Sequence, residues 1–514
     1  MRIRILLGLA LCGAASAASA QMTHPPANTR ALSLRDCINL ALSHNLELRI
    51  EHLTIEMAGD AVSVAYGPYD PTFSFGATHS YESDLGTFDP RKFNPYFPAQ
   101  ITTDKLGPEL SGAAPIGFSY DLSGTVSKVG ANTDFRADPE DATNFPGGIR
   151  STNNYNAAVG LTMRQHLLKD FWIDSDREVI LTRRTDLKIS QQALRFQIMT
   201  TLLAVELAYD DLIDAREEIR VQEEALKLRR EFVAETKRRV EVGDLPPLED
   251  LQAQTQLQNT LTALAAAREV FSARQNSLIG LLTDDYKEWA DVEVQPSDSL
   301  AALPVEINRS RSFQCALARR PDLIEARLAV EKSGVMVKFR FNQLFPSVDL
   351  VGGYGGLGSE PYSGGSALGD AFSFRNPEYS VGMVASIPLD NVSARGNYRA
   401  SKAAKKIAQL QLQKAEQEVL LQVADFVNRV ESRFSQVGST RQARTYAEEA
   451  LKSETEKFQN GFATSFEVLQ FQQILTEARL AEIRAEADYN KMLAQLAFAE
   501  GTILEKDHLS LEVK

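Results

Sequence analysis

The chain contains itself twice. The stretch from Ala41, ALSHNLELRIEHLTIEMAGDAVSVAYGPYDPTFSF, lies on the stretch from Ala316, ALARRPDLIEARLAVEKSGVMVKFRFNQLFPSVDL, at an offset of 275 with no gap. Ala41-Leu42 meets Ala316-Leu317, Glu47-Leu48 meets Asp322-Leu323, Gly59 meets Gly334 and Pro71 meets Pro346. Further on, VEVGDLPPLEDLQAQ from Val240 falls on FQNGFATSFEVLQFQ from Phe458 at an offset of 218. Gly243 meets Gly461, and Glu249 meets Glu467. Two matches in the same order make a tandem duplication, so both halves must build the same unit. Most of the difference between the offsets sits in one insertion, Ser83–Asn154 of the first half.

Each half reads helix, strand, loop, strand, long helix, tight turn, helix. In the first, Leu194, Ile198, Thr201, Val205, Ala208, Leu212, Ala215 and Ile219 alternate steps of four and three, and Leu226 and Val233 continue the seven-residue spacing. In the second, Leu412, Val419 and Phe426 are spaced by seven, as are Val423, Val430 and Val437. These are coiled-coil seams. The long helices run from about Asp174 to Glu241 and from about Ala394 to Asn460. Each spans on the order of 100 Å at the helical rise of about 1.5 Å per residue. Single shorter helices are expected over about Ser33–Tyr66, Leu248–Leu282, Arg311–Phe341 and Ser465–Glu500. Two of these end to end match one long helix. Gly243 and Gly461 supply the left-handed residue after a last helical turn. Pro246-Pro247 suits a helix start, and Thr464 and Ser465 before Glu467 form a capping-box pattern.

The strand segments alternate with period two. Phe73, Phe75, Ala77 and Tyr81 share a face, and Val348, Leu350, Gly352 and Tyr354 keep that phase in the second half. Tyr155, Ala157, Val159, Leu161 and Met163, then Tyr379, Val381, Met383 and Ala385, return. That makes about four strands per chain, too few to close a barrel with a lumen. Three chains give twelve, an even number as outer-membrane barrels use. Ile116, Phe118, Tyr120 and Leu122 alternate inside the insertion. This leaves open whether the insertion adds a hairpin to the barrel wall or folds outside the cell.

The N-terminus places the chain beyond the cytoplasm. A basic Met1–Arg4, an apolar Ile5–Cys12 and a small-residue ending at Ala18-Ser19-Ala20 read as a cleavable secretory signal, cut after Ala20 or less favourably after Ala17. Cys12 follows Leu11 inside the apolar run, where a lipid-modified cysteine would need a small neighbour. The remaining Cys37 and Cys315 fall in helical patterns and read as buried free thiols, with a bridge between them left open. No later stretch approaches 18 uninterrupted apolar residues, so no membrane-spanning helix is expected. The formal charge is −13, and −15 without the first twenty residues, which argues against a nucleic-acid partner.

With its duplicated order, the chain resembles the TolC-like outer-membrane efflux and secretion channels. The resemblance is carried by Leu34–Leu48 (LRDCINLALSHNLEL), Pro321-Asp322-Leu323, Leu344-Phe345-Pro346-Ser347, Ser386-Ile387-Pro388-Leu389-Asp390, Gln165-His166-Leu167-Leu168 and both glycine turns. It covers roughly Leu34 to Leu504, with departures at Asn45-Leu46, which lacks the usual Pro, and at Val240. It implies an α+β fold: a homotrimer with a twelve-stranded barrel in outer-membrane lipid, continuous with an α-helical coiled-coil tunnel through the periplasm. It also implies a periplasmic adaptor and an inner-membrane transporter as partners. The expected layout is a signal over 1–20, an extension over 21–33, a first repeat over 34–283 and a linker over 284–310. A second repeat over 311–500 and a tail over 501–514 complete it. The first repeat has strands near 71–82 and 155–165, the insertion 83–154 and a helical hairpin 174–282. The second has strands near 347–357 and 379–388 and a hairpin 394–500. The alternative is a coiled-coil scaffold without a pore, which would have no use for duplicated strand pairs.

Within that resemblance, Glu467 and Gln470 match the acidic pair at the periplasmic constriction. Glu467 also reads simply as a helix cap. The turns at Gly243, Asp244 and Leu245 and at Gly461, Phe462 and Ala463 are the expected adaptor contacts, with Leu245 and Phe462 exposed. Gly353-Tyr354-Gly355-Gly356-Leu357-Gly358 spells a dinucleotide fingerprint, but a loop is expected after it, so it reads as strand. The six His are scattered, so no metal site, cofactor or catalytic residue is assigned. Glu217, Glu218, Glu223 and Glu224 read as a solvated helix face.

Overall fold

A computed structural model describes residues 28–84, 88–89, 94–95, 99–135 and 148–506. The signal segment with its cleavage sites, Cys12 and the end of the tail lie outside the described residues. In chain order, β1 (Asn28–Leu32) leads into α1 (Leu34–His44) and α2 (Leu46–Ala65). Then come β2 (Thr72–Asp84), the short pair β3 (Phe88–Asp89) and β4 (Asn94–Pro95), β5 (Ala99–Ala114), β6 (Phe118–Phe135) and β7 (Gly148–His166). The helices α3 (Ser175–Glu241) and α4 (Pro247–Leu282) and the strand β8 (Val292–Pro296) follow. The second half holds α5 (Arg309–Arg319), α6 (Pro321–Asn342), β9 (Ser347–Glu360), α7 (Gly364–Phe372) and β10 (Pro377–Ser386). It ends with α8 (Val392–Gln459), α9 (Ser465–Glu500) and α10 (Ile503–Lys506).

The duplication is visible in the lengths. α3 and α8 have 67 and 68 residues, and α4 and α9 have 36 each. The expected single helices at the start of each half are instead broken, at Asn45 and at Arg320. Both residues are extended, with φ −65° and ψ 125° or 123°, and they are equivalent under the repeat. Pro321 explains the second break, since the residue before a proline is driven out of the helical region. Asn45 has no such proline. Its side chain instead donates to the Leu281 carbonyl at 3.3 Å. The extension and linker also hold a parallel two-stranded sheet, Asn28↔Val292 through Leu32↔Pro296, that was not expected.

The main sheet runs β10-β9-β7-β6-β5-β2, with every neighbouring pair antiparallel. It has six strands where four were expected, because the insertion supplies the hairpin β5–β6. Gly117, at φ +70°, lets the chain reverse between them. The glycine fingerprint lies within β9, as expected. The loop expected after it contains the helix α7. A side chain at Gly356 or Gly358 would stand 2.0 Å from the Ala371 carbonyl oxygen or 1.8 Å from that of Ala367. These glycines admit a helix backbone, which fills the place a nucleotide cradle would need.

The chain divides into two compact units. The hairpin unit comprises the chain up to Asn45, Ala204–Leu303 and Arg433–Lys491. In it Val205, Tyr209, Leu212 and Ala215 of α3 are buried, as are Val437 of α8 and Tyr489 of α9. The Tyr209 hydroxyl donates to the Leu32 carbonyl at 2.9 Å or to the Asp298 carboxylate at 2.8 Å. The sheet unit comprises Leu46–Leu203, Pro304–Ser432 and the chain from Met492. There Leu194, Ile198 and Leu202 of α3, and Val419, Val423 and Val430 of α8, are buried as the heptads require. Cys37 is buried and Cys315 half-buried, and both are free thiols. Burial pushes the Cys37 thiol up to about 12, with Asp36 and Asp298 adding to it.

Candidate functional site

The two helical hairpin tips of the hairpin unit close with the same backbone device. At the first, the Asp244 amide donates to the Arg239 carbonyl at 2.8 Å and the Gly243 amide to that of Val240 at 3.0 Å. At the second, Phe462 donates to Lys457 at 2.9 Å and Gly461 to Phe458 at 3.1 Å. Gly243 and Gly461 sit at φ +81° and +77°, so these are the left-handed caps that the glycines indicated.

Beneath the turns lies a small core of Phe232, Ala253, Phe458, Val468 and Leu469. Leu245 and Ala463 pack against this core, so Leu245 is not the exposed residue expected. The apolar residues most exposed at the tips are Val242, at 79%, and Phe462, at 86%, with Leu248 and Phe466 also exposed beside them. Leu245 turns inward because the chain must cover the apolar core before Pro247 starts α4.

Two arginines that sequence reasoning missed join the hairpins. Arg229 is buried and donates through Nη1 and Nη2 to the Leu469 carbonyl, each at 3.2 Å. Its burial lowers its pKa. Arg239 donates through Nη1 to the Phe458 carbonyl and through Nη2 to that of Gln459, each at 3.2 Å. Its guanidinium also stands 4.8 Å from the centre of the Phe458 ring. Both side chains of the first hairpin thus bind backbone oxygens of the second. Their only sequence signal was an arginine in a coiled-coil helix, which usually means a solvated charge.

Glu467 completes a capping box. Its Oε2 accepts from the Thr464 amide at 2.8 Å and the Thr464 hydroxyl at 3.0 Å, and its own amide donates to Thr464 Oγ1 at 3.3 Å. These bonds, the backbone one foremost, hold the carboxyl below the usual carboxylate range. Gln470, one turn on, is exposed on the same helix. Of Glu217, Glu218, Glu223 and Glu224, the last two are exposed as expected and the first two half-buried, and each takes part in an ion pair. Glu218 pairs with Arg484 at 3.3 Å, Glu223 with Arg268 at 3.0 Å and Glu224 with Arg479 at 2.9 Å. A charged heptad position looks the same in sequence whether a cation faces it or not.

The sheet unit carries a second candidate surface. Cross-strand partners run Phe73↔Leu110↔Leu122↔Leu161↔Tyr354↔Tyr379 across all six strands. Neighbouring residues on that face include Phe75, Pro108, Leu106, Val126, Val159, Val381 and Met383. The opposite face presents Ser74, Glu109, Ser123, Thr125, Thr162 and Ser380. The apolar face extends over about nine residues per strand, the span of a tilted membrane strand. Phe73, Phe75, Tyr379, Val381 and Met383 are all exposed on it. The helix α7 covers this face at Val126, Ala157 and Val159, and the remainder, which includes Phe73, Leu122, Tyr354 and Tyr379, needs lipid or protein against it. Among the described residues, no helix is long and apolar enough to cross a membrane.

Comparison with known proteins agrees with this geometry. Residues 313–502 match the family model for outer membrane efflux proteins. The outer membrane efflux protein BepC of Brucella suis biovar 1 (strain 1330) is 24% identical over 359 residues, 69% of this chain and 74% of BepC. Among solved structures, CusC, described in terms of transmembrane channel formation, aligns at a TM-score of 0.65 with 16% identity, covering 93% of this chain and 95% of CusC. The CmeC outer membrane channel of Campylobacter jejuni aligns at 0.63 with 14% identity, covering 94% and 90%.

Proposed function

From a family match and a fold that are both TolC-like, we propose that this chain is one protomer of a trimeric outer-membrane exit duct. The duct passively conducts substrates delivered by an inner-membrane transporter, through a periplasmic adaptor, in a tripartite efflux or type I secretion system. The observation that carries the reading is the six-stranded sheet, apolar on one face and polar on the other. Lipid satisfies the first face and a water-filled lumen the second. One sheet of six cannot enclose a lumen, so copies must complete it. A periplasmic scaffold without a pore would leave Phe73, Phe75, Tyr379 and Val381 against water.

The hairpin tips are the adaptor-docking surface in this reading, through Val242 just before the turn Gly243–Leu245 and Phe462 within the turn Gly461–Ala463. Glu467 and Gln470 line the periplasmic constriction, with Glu467 serving as helix cap and gate carboxylate together. The test is reconstitution into planar bilayers. Detergent-extracted protein should run as a trimer and give discrete conductance steps. A monomer that dissolves without detergent and conducts nothing would refute the proposal.

A further inference from the structure

The inserted hairpin bears on the width of the duct, an inference that rests on the channel reading above. We propose that three copies close an eighteen-stranded barrel, with β10 of one copy pairing β2 of the next and β5–β6 built into the membrane wall.

The register places the hairpin in the wall. Leu106, Pro108 and Leu110 of β5 and Leu122 and Val126 of β6 are in phase and level with Ala157, Val159 and Leu161 of β7, and α7 covers this face at Val126, Ala157 and Val159 while Leu106, Leu122 and Leu161 lie outside that cluster. One level beyond the apolar band, the same face turns charged. Asp104 pairs there with Lys128 in register, and His79 Nδ1 lies 2.6 Å from Asp104 Oδ1. The inserted strands therefore cross the same apolar height as the strands common to both repeats, and leave it at the same place. A hairpin lying outside the membrane would have no reason to keep that band.

The turn of the hairpin is short and pinned. Gln165 Nε2 donates to the Ile116 carbonyl at 2.9 Å, and the His166 amide to the Gly117 carbonyl at 3.0 Å. A short turn at one rim is what outer-membrane barrels have on their periplasmic side.

The two ends of the sheet fit each other. Six antiparallel strands leave β2 and β10 running in opposite directions, so pairing β10 with the next copy's β2 continues the alternation. Both end strands are exposed along their length, and Phe73 and Phe75 stand on the same face of the sheet as Tyr379 and Val381. A twelve-stranded barrel would require β2 to pair β7 directly, but β6 occupies that edge of β7 from Phe118↔Gln165 to Phe135↔Gly148. Barrel diameter rises about linearly with strand number. At a strand spacing of about 4.8 Å and a tilt of about 40°, eighteen strands give a backbone diameter of about 36 Å against about 24 Å for twelve. The mouth is about 1.5-fold wider and admits correspondingly bulkier cargo.

Two measurements on the full-length protein in membranes test this. In Ser74→Cys/Glu109→Cys the cysteines are register partners and should form an intrachain disulfide on oxidation, while Ser74→Cys/Gly160→Cys should not. The reverse result means that β2 pairs β7, and it overturns the proposal. Neutral polyethylene glycols of graded size, added from the barrel side of a bilayer, should lower conductance up to a radius about 1.5-fold that for a twelve-stranded relative measured alongside. An equal cut-off overturns the wide barrel while leaving the channel intact. Absence of conductance would instead be the failure of the channel reading itself.

Discussion

Replacing Arg239 by Ala removes the most exposed tie between the hairpin tips. The wild-type guanidinium makes two bonds to the carbonyls of Phe458 and Gln459, each 3.2 Å long. Hydrogen bonds to charged groups contribute about 1.5–3 kcal/mol. These are long and face partly into water, so about 1 kcal/mol each is the better figure. The stacking over Phe458 adds about 0.5–1 kcal/mol. Together the loss is about 2–3 kcal/mol per protomer, or about 30- to 150-fold in the equilibrium between joined and separated tips. Two readouts follow. Amides around Phe458–Phe462 should exchange with solvent faster by a comparable factor, and in planar bilayers the larger conductance level should be occupied more often. Arg239→Lys keeps the charge but loses the planar fork, so it should fall between. If Arg239→Ala leaves both exchange and conductance unchanged, the arginine does not hold the tips, and the lock assigned to it is refuted.

Glu467→Gln should speed amide exchange at the start of α9 and, in the gate reading, raise conductance or lower cation selectivity. Its folded pKa is depressed, so the stabilisation by the wild-type cap is fully present above the usual glutamate range and is lost as the pH falls through the lower folded value. Thermal or denaturant titration of the wild type against Glu467→Gln should therefore converge at acid pH. Gly461→Ala meets no neighbouring atom, so its cost is backbone strain at φ +77° alone, about 1 kcal/mol, readable as a lower denaturant midpoint. Cys37, with its thiol raised to about 12, should resist maleimide at pH 8 in the folded protein and react once the protein is unfolded.

Much of this architecture depends only on spacing along the chain, and so was legible in the sequence. The seam Leu194, Ile198, Thr201, Val205 and Leu212 is buried because a helix must turn every seventh residue to the same side. Gly243 and Gly461 cap their helices because only glycine adopts that backbone freely. The alternation of Phe73, Phe75 and Ala77 marked a strand with two unlike faces. The duplication showed that each of these occurs twice.

What lay beyond the sequence depends on which surface comes to face which. Leu245 and Phe462 are both apolar turn residues, yet one packs on the core of Phe232 and Phe458 and the other stands in solvent. Arg229 and Arg239 became ties, and Glu218 and Glu224 became ion pairs, because their partners come from residues more than two hundred positions away. The insertion had a strand-like alternation, but period two does not say which neighbour a strand will choose. Only the cross-strand register, with Leu106 beside Val126 and Leu122 beside Leu161, put its hairpin into the sheet. Local backbone preference and periodicity are written into consecutive residues. Pairing is set by free energy shared between distant ones, and it exists only once the chain has folded.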